Sequence, residues 1–98
     1  MGGGQGRTRT SLSTYRVEIA RRAVKALTGL PRKEQQRVRA AIDLLAADPR
    51  PPGCVALTGE DRAYRVRVGN YRVVYEVFDE HLVVQVVRVG HRRGVYGR

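Results

Sequence analysis

Apolar and polar positions change period repeatedly along this chain, and each change marks an expected element. Tyr15, Val17 and Ile19 alternate with Arg16 and Glu18, the period of two expected of a strand with one buried face. From Ala20 the spacing lengthens. Ala20, Ala23, Val24 and Leu27 fall at i, i+3, i+4 and i+7, which predicts a short amphipathic helix with Arg21, Arg22 and Lys25 on its other face. Gly29 is the expected stop, and Pro31 sits where a first helical turn tolerates it, so a second helix is predicted to begin at once. Its apolar stripe is Val38, Ala41, Ile42 and Leu45, and Asp48-Pro49 ends it.

Residues 50–53 (RPPG) suit neither helix nor central strand and read as a loop that continues through residues 57–61. Period two then returns. Tyr64, Val66 and Val68 alternate with Arg65 and Arg67; after Gly69-Asn70, Tyr71, Val73 and Tyr75 alternate with Arg72, Val74 and Glu76. Glycine first in a two-residue loop predicts a hairpin with a type II′ turn, which fixes the register: Val68 faces Tyr71, Arg67 faces Arg72, Val66 faces Val73 and Tyr64 faces Tyr75. Asp79-Glu80 supplies the next turn. Residues 82–89 (LVVQVVRV) are almost continuously apolar, the pattern of a strand central in its sheet and buried on both faces. The expected fold is α+β, in the order β-α-α-β-β-β. An antiparallel sheet has the two-helix hairpin on its apolar face, and Val74, Val83 and Val87 share the opposite face with the arginines.

The 98 residues allow one domain, placed at residues 15–98, after a stretch of residues 1–14 rich in Gly, Ser, Thr and Arg that composition reads as disordered. Nineteen basic against nine acidic residues give a formal charge of +10. This imbalance points to a polyanionic partner. Lys25 and Lys33 are the only lysines, so the charge is nearly all guanidinium, which forks onto phosphate and stacks on bases. That favours nucleic acid over a membrane surface. The single cysteine, Cys54, allows no internal disulfide, and with no apolar run of membrane-spanning length the expected location is the cytoplasm.

Strand alternation brings Arg65, Arg67 and Arg72 to one face, with Arg67 and Arg72 directly opposed. Like charges so placed cost stability unless an anion sits between them. Arg88, Arg92 and Arg93 extend the basic region. His91 follows the central strand inside that region and is a candidate proton carrier, and Tyr96 in the basic tail is a candidate for stacking on a base. His81 sits at a turn and is given no role. The two histidines, one cysteine and scattered acids have no metal-ligand spacing, and no Gly-rich phosphate loop precedes a helix, so no cofactor is expected. The chemistry that fits is metal-independent RNA transesterification, in which the ribose 2′-OH is the nucleophile and the protein orients it and stabilises added charge.

The runs YRVEIARRAVKAL, LPRKEQQRVRAAIDLLAADPRPPGC, LTGEDRAYRVRVGNYRVVYEV and VVRVGHRRGVY resemble the RelE-type toxins of the RelE/ParE superfamily, the toxic halves of bacterial toxin–antitoxin pairs, over residues 15–96. The resemblance implies a ribosome-dependent mRNA endonuclease acting in the A site, with an antitoxin from the same operon as partner. It places Arg65 and Arg67 at two functional basic positions that are usually lysines. Arg72 falls on the arginine that holds the scissile phosphate, Arg92 on the basic residue after the last strand's glycine, and Tyr96 on the terminal stacking tyrosine. Arginine at position 65 removes the family's favoured general base and leaves that part to His91 or to a substrate or ribosomal group. The alternatives are a ParE-like inhibitor of DNA gyrase, which shares the fold but cuts nothing, and a non-catalytic RNA-binding protein.

Overall fold

The computed structural model describes residues 14–91. The alternation at residues 15–19 forms strand β1 (Arg16–Ile19), with Arg16 and Glu18 outward and ion-paired at 3.1 Å. Helix α1 (Arg21–Thr28) follows, burying Ala23 and Leu27 while Val24 stays largely exposed. Gly29 ends it with its N–H shared between the Lys25 and Ala26 carbonyls, in right-handed geometry. Helix α2 (Arg32–Leu44) starts at once, with Pro31 as its N-cap and the Pro31 carbonyl accepting from Gln35 N–H at 2.8 Å. Val38, Ile42 and Leu45 are buried as the stripe predicts.

The helix stops at Leu44, short of Asp48-Pro49. The chain tightens there into turns, with the N–H groups of Leu45, Ala46 and Ala47 each bonded three residues back. A proline disfavours helical geometry at the residue before it, and the last turn unwinds ahead of that barrier. The Ala46 carbonyl, freed from the helix, accepts from Tyr15 N–H at 2.8 Å and so ties the end of α2 to the start of β1.

Strands β3 (Ala63–Val68), β4 (Tyr71–Phe78) and β5 (Val83–His91) form the antiparallel meander, with the hairpin register as expected at all four positions from Val68↔Tyr71 to Tyr64↔Tyr75. Gly69 has φ +60° whereas Asn70 does not have a positive φ, consistent with a type II′ turn. A two-residue strand, β2 (Val55–Ala56), pairs with β3 where the sequence reads as loop. The sheet order is β1-β5-β4-β3-β2. It is antiparallel from β2 to β5 and mixed at the edge, where β1 pairs parallel with β5 from Arg16↔Val83 to Ile19↔Val86.

Between Val74 and Tyr75 the register with β5 shifts: Val74 pairs with Arg88 and Tyr75 with Val86, leaving Val87 as an extra residue. This β-bulge resets the alternation of β5. It lets Val84, Val86 and Val89 all reach the core, while the side chains between them are half-buried on the other face. The run of valines therefore reflects a bulge between two flanking strands rather than burial on both faces.

Both helices cover one face of the sheet, and the core lies between them and Val73, Tyr75, Val77, Val84, Val86 and Val89. Tyr75 is fully buried, stacks on Tyr64 at 5.9 Å and donates its hydroxyl to the Pro49 carbonyl at 2.8 Å. Burial pushes the Tyr75 hydroxyl far above its ordinary pKa, so it stays a donor.

Candidate nucleic-acid interface

On the face away from the helices, paired residues form three cross-strand rows. Arg67, Arg72 and Gly90 make the row nearest the hairpin tip; Arg65, Val74 and Arg88 make the next; Ala63, Glu76 and Gln85 the third. Paired residues share a face, so Arg65, Arg67 and Arg72 come together as the sequence requires. They line one recess of about 160 Å³, walled by Gly53 and by Val55 of β2. Val55 stands directly opposite Arg65. Gly53 has φ +92°, a conformation glycine adopts without strain, which turns the chain from the proline loop into β2.

Gly90, opposite Arg72, places no side chain of its own beside it on the β5 side. The Arg72 Nε is buried, while the Arg67 side chain is exposed. A recess of this size with three guanidinium groups offers a fork of donors that do not lose their protons, suited to a phosphate and unsuited to moving a proton.

His91 stands elsewhere. It pairs with Tyr71, and the two rings meet edge to face at 5.7 Å, on the side of the sheet that carries Val68 and Val73 rather than the arginines. The bulge at Val87 sets this parity: after it, Val89 and His91 face the helix side and Gly90 the arginine side. Arg92 and Tyr96 lie outside the described residues, as does the stretch expected to be disordered except for Thr14.

Arg88 enters the arginine face through its pairing with Val74, and Val55 and Gly53 enter through β2, which carries only a two-residue strand signal. A polar cluster that sequence reading missed sits at the opposite end of the sheet. Asp79, in the turn after β4, accepts from Arg50 Nη1 and Nη2 at 3.2 and 2.7 Å and from the Tyr15 hydroxyl at 2.6 Å. Arg50 also donates Nε to the Tyr64 hydroxyl at 3.0 Å and lies over the Tyr64 ring. Hydrogen bonds from Arg50, then from Tyr15, hold the Asp79 carboxyl below its usual range. The same bond to Asp79 raises the Tyr15 hydroxyl. The cluster ties the loop after α2 and the start of β1 to the sheet, and fixes Tyr64 beside Arg65.

Among the described residues no three His, Cys, Asp or Glu side chains are placed to hold a metal ion, and no helix is long and apolar enough to cross a membrane.

The chain matches a family described as "ParE toxin of type II toxin-antitoxin system, parDE" over residues 17–96. It is 32% identical over 85 residues to the RelE1 protein of Methanocaldococcus jannaschii, covering 84% of this chain and 94% of that one. Its fold is similar to RelE in the archaeal RelE-RelB complex from Pyrococcus horikoshii, with a TM-score of 0.73 at 34% identity over 81% of this chain and 96% of that one. It is likewise similar to the toxin–antitoxin complex RelBE2 of Mycobacterium tuberculosis, with a TM-score of 0.72 at 30% identity over 84% and 95%.

Proposed function

From the premise that this chain belongs to the RelE/ParE superfamily of type II toxin–antitoxin toxins, we propose that it is a ribosome-dependent endoribonuclease cleaving mRNA in the A site, held inactive by an antitoxin encoded beside it. The observation that carries the reading is the convergence of Arg65, Arg67 and Arg72 on one recess of the uncovered sheet face.

In the reaction, the 2′-oxygen attacks the adjacent phosphorus in line with the leaving 5′-oxygen. The P–O2′ bond forms, the P–O5′ bond breaks, and the products are a 2′,3′-cyclic phosphate and a free 5′-hydroxyl. A proton leaves the 2′-OH and one reaches the 5′-oxygen, so charge rises on the phosphoryl oxygens in the transition state. Guanidinium groups already in place around those oxygens stabilise that charge without reorganising. Arg72, between Arg67 and Gly90, holds the scissile phosphate, and Arg65 and Arg67 align the flanking backbone. Arg92 and Tyr96 carry the phosphate-gripping and base-stacking roles that the resemblance implies. Proton transfer falls to the substrate or the ribosome, since arginine does not deprotonate and His91 stands on the other side of the sheet.

The test is toeprinting of mRNA in reconstituted translation. Wild-type protein is expected to cut in the A site, and Arg72→Ala to slow the single-turnover rate by about 10²-fold or more. Intact mRNA with the wild-type protein overturns the reading. The match to a family named for ParE favours inhibition of DNA gyrase as the second reading. Inhibited supercoiling with uncut mRNA would establish that alternative.

A further inference from the structure

Beside the arginine recess, on the same face, lies a second and larger one of about 280 Å³. We propose that it is a base-reading subsite, that it takes guanine, and that Glu76 determines the preference. The proposal rests on reading the first recess as a phosphodiester site and names what lies next to it.

Arg65 lines both recesses, so a nucleotide whose phosphate lies among Arg65, Arg67 and Arg72 has its base within reach of the second. Successive rows on one face of a sheet are about 6.6 Å apart along the strands. The Arg72 row thus lies one row from Arg65 and Arg88, and two from Glu76.

The lining has the two characters a base requires. Ala63, Val74 and Val87 give an apolar surface for the faces of the ring; Glu76 on the sheet and Glu60 in the loop before β3 supply acceptors for its edge, and Arg65 and Arg88 supply donors. Of the two carboxylates only Glu76 stands in the cross-strand rows that lead from the phosphate recess. The bulge makes this combination, because Val87 and Arg88 stand together opposite Val74 and both line the recess. In regular alternation one of the two would face the core. A carboxylate close to a phosphate site weakens binding of the backbone, whereas one placed two rows away meets a base. Guanine offers adjacent N1–H and N2–H donors to a single carboxylate and its O6 and N7 acceptors to a guanidinium. No other RNA base presents both pairs.

Short single-stranded 2′-O-methyl RNAs, which cannot undergo the transesterification, are titrated by fluorescence polarisation with guanine, adenine, cytosine, uracil or no base at one position. Wild-type protein is expected to bind the guanine oligomer about tenfold more tightly than the others. Glu76→Gln should erase that difference while leaving affinity for the uracil oligomer unchanged, which also shows that the variant is folded. Arg67→Ala should weaken all five alike. Equal affinity of the wild-type protein for guanine and the abasic oligomer overturns the subsite, as does a guanine preference that survives Glu76→Gln. Because binding is read without cleavage, guanine discrimination by a protein that leaves ribosomal mRNA intact would sink the nuclease and leave the subsite standing. Cleavage of A-site mRNA without any base preference in binding would do the reverse.

Discussion

Asp79 shows how one charged side chain can tie distant parts of this small fold together. Its carboxylate accepts hydrogen bonds from both terminal guanidinium nitrogens of Arg50 and from the Tyr15 hydroxyl, joining three separate parts of the chain at one turn. Those bonds favour the ionised form and lower its pKa in the folded state. A group depressed in this way adds stability above its unfolded pKa and loses it as the pH falls through the folded one. The wild-type protein should therefore melt at a higher temperature than Asp79→Asn near neutrality, and the gap should close on acidification below the ordinary carboxylate range. Differential scanning fluorimetry of both forms from pH 7 to pH 2.5 measures it, and a gap constant across that range would show that the contact is not ionic. None of this was legible in the sequence. Tyr15, Arg50 and Asp79 are separated by stretches whose path only the tertiary fold determines, and each looks like an ordinary surface residue.

Among the elements, the β3–β4 hairpin was the most legible because its determinants are local. A two-residue loop with glycine first leaves one register, and that register alone gathers Arg65, Arg67 and Arg72. Gly69 is at φ +60°, and a Cβ added there would meet the Arg37 guanidinium at 3.4 Å. Gly69→Val should cost about 1–2 kcal/mol in urea unfolding, and an unchanged midpoint would mean that the loop tolerates another turn type. The strand after it was misread for the opposite reason. In residues 82–89 the bulge at Val87 hides the alternation, and a pattern of valines does not say which one is extra. The same bulge places His91 beside Tyr71 rather than on the arginine face. The parallel pairing of β1 was also beyond local pattern, since alternation specifies which face a strand buries but not which neighbour it meets.

Across the whole molecule, charge is distributed along the sheet as well as in excess. At the end away from the hairpin tip two guanidinium groups are matched by carboxylates, Arg50 by Asp79 and Arg62 by Glu80, at 2.7 and 3.2 Å. The arginines of the recess occupy the other end. On this face a polyanion is therefore drawn towards the tip. Salt titration resolves the two ends. For single-stranded nucleic acid, log K falls with log salt by about 0.7 for each phosphate neutralised. Arg67→Ala should thus flatten the slope for an unstructured RNA by about 0.7. Arg62→Ala removes the same formal charge, but from a guanidinium already spent on Glu80 and on the Phe78 ring, and should leave the slope unchanged. If the two variants flatten the slope equally, RNA is held by net charge alone and the recess has no special claim on a phosphate. If only Arg67→Ala does so, the position of the guanidinium groups on the uncovered face, rather than their number, decides where RNA is gripped.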